Sequence, residues 1–142
     1  MYRLVKFKKE HLEVMDIREH EKMLLDYPEY VQLLEKDIAI TGIVDGVIVC
    51  CAGVGIMHGG NANIWLIPSE HLPKYAKTFI KGLHEWLWKI REDFQLQRMQ
   101  TICLDDELHH RWMAYLGFEK EAVMEKYYNG ENRIMYGRTK WD

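Results

Sequence analysis

The chain has 142 residues and a mass of 17.0 kDa, room for one folded domain. Its 48% hydrophobic and 29% charged residues match the make-up of a globular protein that holds a core without disulfides or metals. Nineteen Lys and Arg against 22 Asp and Glu give −3, which excludes a general affinity for nucleic acid or anionic membrane. The longest apolar stretch, residues 47–57, is too short to span a bilayer.

The opening Met1-Tyr2-Arg3-Leu4-Val5-Lys6 lacks the apolar run of a secretory leader, so synthesis in the cytoplasm is expected. The three cysteines are an odd number, and Cys50 and Cys51 would point to opposite faces of a strand. They read as reduced core thiols.

Residues 2–7 alternate as a short first strand. Residues 10–25 are charged with a sparse apolar stripe (Leu12, Met15, Leu24), the pattern of a surface helix. Asp26-Tyr27-Pro28 interrupts it, and Pro28 suits the first turn of a second short helix reaching Glu35. Segments 38–44 and 47–56 are rich in β-branched residues and are joined by Asp45-Gly46 alone. That spacing predicts a hairpin with positive φ at both turn positions. A Gly-rich connection, 58–62, leads to a strand at 63–67.

Pro73 opens the longest helix, which runs to Phe94. Its predicted core face is Ala76, Phe79, Ile80, Leu83, Leu87, Ile90 and Phe94, and its other face carries Lys74, Lys77, Lys81 and His84. A strand at 99–104 follows. Asp105-Asp106 caps a helix over 107–116, and Gly117 ends it in a left-handed C-cap. Segments 119–128 and 133–140 close the chain as a hairpin around Asn129-Gly130. The order β-α-α-β-β-β-α-β-α-β-β makes this an α/β chain (α+β by some schemes). Strands 63–67 and 99–104 come out parallel and adjacent across the one strand-helix-strand crossover.

This order, with Arg111-Trp112-Met113-Ala114-Tyr115-Leu116-Gly117-Phe118, resembles the GNAT superfamily of acyl-CoA-dependent N-acetyltransferases. A closer resemblance is to phage-encoded GNAT-like proteins, including the internal virion protein A family of short-tailed phages. It is carried by Ile17-Arg18-Glu19, Val44-Asp45-Gly46, Trp65-Leu66-Ile67-Pro68-Ser69, and His109-His110-Arg111-Trp112 leading into Leu116-Gly117-Phe118. The resemblance implies a mixed, mostly antiparallel central sheet with helices on both faces. It also implies acetyl-CoA as cofactor, with its pyrophosphate on backbone amides at the start of the long helix.

The candidate anchors for that cofactor are Ser69, His71, Lys74 and Lys77. The loop Pro68-Ser69-Glu70-His71-Leu72-Pro73 contains no glycine, two of its residues lack an amide donor, and Glu70 adds charge of the wrong sign. Tyr115 is the candidate proton donor to the leaving thiolate, but the position the family uses, four residues before Gly117, holds Met113. The strand where a base often sits carries no carboxylate; His58 and His71 flank it and are the candidate bases. Cys103, Asp105, Asp106, His109 and His110 lie within eight residues. Neighbours on a helix diverge by about 100°, so the Asp105/His109 and Asp106/His110 pairs cannot share one ion, and no metal is expected.

Trp88 falls on the polar face of the long helix beside Lys81 and His84. Either it is an exposed indole marking a surface for virion components or self-association, or the C-terminal hairpin covers it. Three functions stay open. One is a phage GNAT-fold protein, made in the host cytoplasm and acting in the virion or its assembly. The second is a working acyl-CoA N-acetyltransferase acting on an amine of a protein or small molecule. The third is an intracellular host-interaction factor.

Overall fold

The computed structural model describes residues 2–17 and 19–141. Met1, Arg18 (of the Ile17-Arg18-Glu19 stretch) and Asp142, together with the side chains of Glu19, His20, Glu21 and Met23, lie outside the described residues. Among the described residues seven strands form one sheet in the order β1-β2-β3-β4-β5-β7-β6. They are β1 (Tyr2–Lys6), β2 (Ile38–Val44), β3 (Val47–Ile56), β4 (Asn61–Pro68), β5 (Arg98–Leu104), β6 (Glu119–Tyr128) and β7 (Glu131–Arg138). The helices are α1 (Glu10–Val14), α2 (Pro28–Leu34), α3 (Leu72–Phe94) and α4 (Glu107–Tyr115), with a 3-10 segment over Glu19–Asp26. The chain divides into two compact units, Met1–Gly55 with Trp65–Gly82, and Ile56–Ile64 with Leu83–Asp142.

In the first unit β2 and β3 pair antiparallel around Asp45 (φ 51°) and Gly46 (φ 79°), the double positive φ of a type I′ turn. Thr41 lies opposite Cys51, and Gly42 opposite Cys50. Neighbouring residues point to opposite faces, and both faces are covered. On one side Cys51 joins Phe7, Leu12, Met15, Ile17, Val31, Leu34 and Ile67 in a core beneath α1 and α2. On the other, Gly42 lies against the ring of Phe79 from α3, and the missing Cβ makes that approach feasible. Gly53 does the same for the indole of Trp65.

The single helix expected over 10–25 is not present. α1 stops at Val14, and Met15 turns extended with ψ 154°. Met15 and Ile17 are buried two residues apart, a strand's spacing, and Ile17 forms a β-bridge with Ser69. Capture of this segment by the end of β4 outweighs the helical stripe.

In the second unit β5 lies parallel to β4 (Asn61 opposite Arg98, Asn63 opposite Gln100) and antiparallel to β7. On α3, Leu83, Leu87 and Ile90 are buried as expected, whereas Phe94, placed on the core face by the same periodicity, is 49% exposed because the helix ends there. The closing hairpin turns at Asn129 (φ 49°) and Gly130 (φ 78°), and β7 runs Glu131–Arg138, two residues earlier than expected. β6 is a sheet edge, exposed along nearly its whole length and irregular at two places, with Lys126 at φ 52°.

α4 ends in a Schellman motif: Phe118 N–H donates to Met113 O (2.9 Å), Gly117 N–H donates to Ala114 O (3.1 Å), and Gly117 has φ 83°. Trp112 and Phe118 are each 4% exposed. A Cβ on Gly117 would meet the Arg138 guanidinium at 3.0 Å. Gly117→Ala should therefore cost about 1–2 kcal/mol for the left-handed backbone alone, read as a lower urea midpoint.

Candidate functional site

The start of α3, where a pyrophosphate would sit by family resemblance, is built by the end of β4 and by the strand-like segment 15–17. Ser69 N–H donates to Val49 O (3.0 Å), Glu70 N–H to Asp16 O (2.7 Å) and His71 N–H to Ser69 Oγ (3.1 Å). Leu72 N–H donates to Ser69 O (3.2 Å) and Lys74 N–H to His71 O (3.1 Å); Pro73 has no amide hydrogen. Each of the five amides between Ser69 and Lys74 thus has an acceptor inside the chain. Ser69 is fully buried, and His71 Nε2 donates to the Asp16 carboxylate at 2.6 Å. A carboxylate of the protein's own lies beside the helix end that favours anions.

The residues do not fit acetyl-CoA. Its pyrophosphate needs several free amides pointing outward, and here they are spent on Val49, Asp16, Ser69 and His71. Of the expected anchors, Ser69 is enclosed and His71 is held by Asp16. Lys74 and Lys77 are exposed, with the Lys74 ammonium 5.3 Å from the Tyr75 ring.

Met113 is 2% exposed, and Tyr115, two residues along α4, is 58% exposed with its ring 6.3 Å from that of His84. His58 is exposed in the turn before β4, and His71 follows β4's far end, so the strand's length lies between them in the chain. Cys51 and Cys103 are poor nucleophiles, because burial pushes Cys51 up to about 12, while burial followed by Asp106 and Asp105 does the same for Cys103.

The Asp/His cluster resolves into two separate pairs. Asp106 caps α4, accepting from His109 N–H (2.8 Å) and pairing with the His109 ring (2.7 Å), while Asp105 pairs with His110 Nε2 (2.7 Å). His110 Nδ1 in turn meets the hydroxyl of Tyr136. Among the described residues no three His, Cys, Asp or Glu side chains are grouped to hold a metal ion.

Two arrangements escaped the sequence reading. Asp37, at the end of the α2 connection, accepts from Trp65 Nε1 (2.9 Å) and so brings a carboxylate to the strand that has none of its own. Gly55 leaves room for it, since a Cβ there would stand 3.2 Å from Asp37 Oδ2. The second is a chain that runs from half-buried His11 into the core, in which the Thr41 hydroxyl donates to His11 Nδ1 (2.7 Å), with Cys51 Sγ 3.5 Å beyond. His11 Nδ1 also accepts from Lys8 N–H (3.2 Å), which requires the neutral ring.

Burial, and next Lys8, hold the His11 pKa below 6.5. The unfolded chain therefore binds the proton more readily. The stabilisation that His11 contributes should be complete above pH 6.5 and lost as pH falls through the lowered value. Urea midpoints at pH 7.5 and 5.5 should differ more for the wild type than for His11→Gln.

No family model matches the chain, and no curated protein matches it. Solved structures do. An acetyltransferase of the GNAT family from Bacillus anthracis shares 15% identity over 97% of this chain and 94% of its own, with a TM-score of 0.70. IAA acetyltransferase from Bacillus cereus shares 10% over 99% and 100%, with 0.72, and Ard1 from Thermoplasma volcanium shares 15% over 96% of each chain, with 0.71. The chain has the GNAT acetyltransferase fold.

Proposed function

We propose that this GNAT-fold chain is a phage-encoded protein that works through protein contacts, as a virion-associated or assembly component, and not through acetyl transfer. The observation that carries the reading is the occupied amide row from Ser69 to Lys74. A scaffold whose phosphate cradle is filled by its own Asp16 and Ser69 retains the fold without the site that gives the fold its chemistry. The phage assignment rests on the sequence resemblance carried by Trp65-Leu66-Ile67-Pro68-Ser69 and by Leu116-Gly117-Phe118. Lys81 and His84 on α3, with the accessible edge of Trp88, are the proposed contact surface.

Calorimetry with acetyl-CoA at micromolar protein should give no saturable heat. A dissociation constant below about 10 μM, on the order of −7 kcal/mol, would overturn the reading and favour an acyl-CoA N-acetyltransferase. The protein should also co-sediment with purified particles from infected cells, and its absence from them would remove the virion role.

A further inference from the structure

We propose that His84 and Arg138 form a pH-operated clasp that holds the C-terminal segment 139–141 over Trp88 and releases it when His84 takes up a proton. The proposal lies wholly in the second unit and does not depend on the role assigned above.

Arg138 ends β7 and is 6% exposed, so its charge is enclosed. Its Nη1 donates to Leu116 O at the end of α4 (3.0 Å), and its Nε donates to Lys140 O (3.2 Å), which folds the chain back on itself. The guanidinium carbon stands 4.5 Å from the Trp141 ring centre and 5.7 Å from that of Trp88. The two indoles meet edge to face at 6.1 Å, and Trp141 Nε1 donates to Gln97 O (3.0 Å). Arg91 adds a second guanidinium, 5.3 Å from Trp141. Trp88 is therefore half-buried, and of the two alternatives left open by its place on α3 the covered one holds: the chain's own last residues lie against it.

His84 Nε2 lies 3.4 Å from Arg138 Nη1. Because the guanidinium can only donate, Nε2 must be an unprotonated acceptor. A proton there removes the acceptor and sets two cations side by side in a site of reduced dielectric. The groups facing His84 offer little relief. Arg138 comes from β7, Tyr115 contributes a ring from α4, and Glu85 on α3 itself is the carboxylate that favours the charged form. Burial first, and Arg138 second, hold the His84 pKa below 6.5, so the ring stays neutral to lower pH than a free imidazole. When Arg138 withdraws, Lys140 O loses its donor and Trp141 one of its two cations, and the segment that covers Trp88 is left with the Gln97 contact, Arg91 and the exposed ion pair of Lys140 with Glu119 (3.6 Å).

The test uses the full chain labelled with 5-fluorotryptophan, the resonances being assigned by single Trp→Phe variants. Between pH 8 and pH 5 the fluorine signals of Trp88 and Trp141 should move together, with a midpoint below 6.5, while Trp65, Trp86 and Trp112 stay in place. His84→Gln, which keeps a neutral acceptor, should abolish the movement. Should that variant fail to fold, the ring titration of His84 in the wild type must share the midpoint of the two tryptophans. Stationary Trp88 and Trp141 signals, movement of all five, a wild-type transition in folded His84→Gln, or a His84 midpoint that differs from the tryptophans' each overturns the clasp.

Discussion

Replacing Phe79 by alanine should remove about 3–5 kcal/mol of stability, and the loss should depend on what stands at position 42. Phe79 is fully buried on α3, and its ring occupies the space above Gly42 that any other residue would fill with Cβ. Gly42→Ala alone should cost about 1–3 kcal/mol by forcing the ring off its rotamer. In the Phe79→Ala background the same methyl enters a cavity, so its effect should vanish or turn favourable. Urea unfolding of the four proteins of the cycle measures the coupling. An equal cost of Gly42→Ala in both backgrounds would mean that strand strain, not the ring, sets the requirement for glycine.

Arg138→Ala should cost about 3 kcal/mol at pH 8, where His84 is neutral. The carbonyl of Leu116, a residue 1% exposed, loses its donor, which costs about 1–3 kcal/mol for a buried group. Stacking on Trp141 and Trp88 is lost as well, and such cation–π contacts are worth about 0.5–2 kcal/mol. Arg138→Lys should recover only part of this, because an ammonium cannot serve Leu116 O and Lys140 O while lying flat on an indole. Thermal unfolding of the three proteins checks the order, and a lysine variant as stable as wild type would assign the effect to charge alone.

What could be read from the residues was local. Asp45-Gly46, the Asp106 cap, Gly117 and the crossover between β4 and β5 each carry their signal within a few positions, and the structure contains all four. The missing glycines before α3 were equally visible. The features that decide the site are long-range. Asp16 reaches His71 across 55 positions and Asp37 reaches Trp65 across 28, and no periodicity records such a meeting. The same cause broke the predicted helix at 10–25. The stripe of Leu12, Met15 and Leu24 is compatible with a helix, and only the bridge of Ile17 to Ser69 shows why Met15 leaves it. Arg138 carries no local signal of burial, because an arginine near the end of an edge hairpin is ordinarily solvated, and the two indoles that enclose it come from α3 and from the last residues.

The irregular outer strand β6 has a bearing on how densely the protein can be stored. A sheet with two regular free margins can recruit further copies without limit, and the end product is a fibril. Here one margin is β1, five residues long with exposed Arg3 and Lys6. The other is β6, whose register slips after Lys120 and again after Met124, and whose Lys126 leaves the extended region. A visiting strand would lose its hydrogen-bond partners within a few residues of either start and would meet charged side chains as it did so. Copies crowded to millimolar levels should therefore stay countable individuals in suspension, and thioflavin fluorescence after prolonged incubation should remain at baseline.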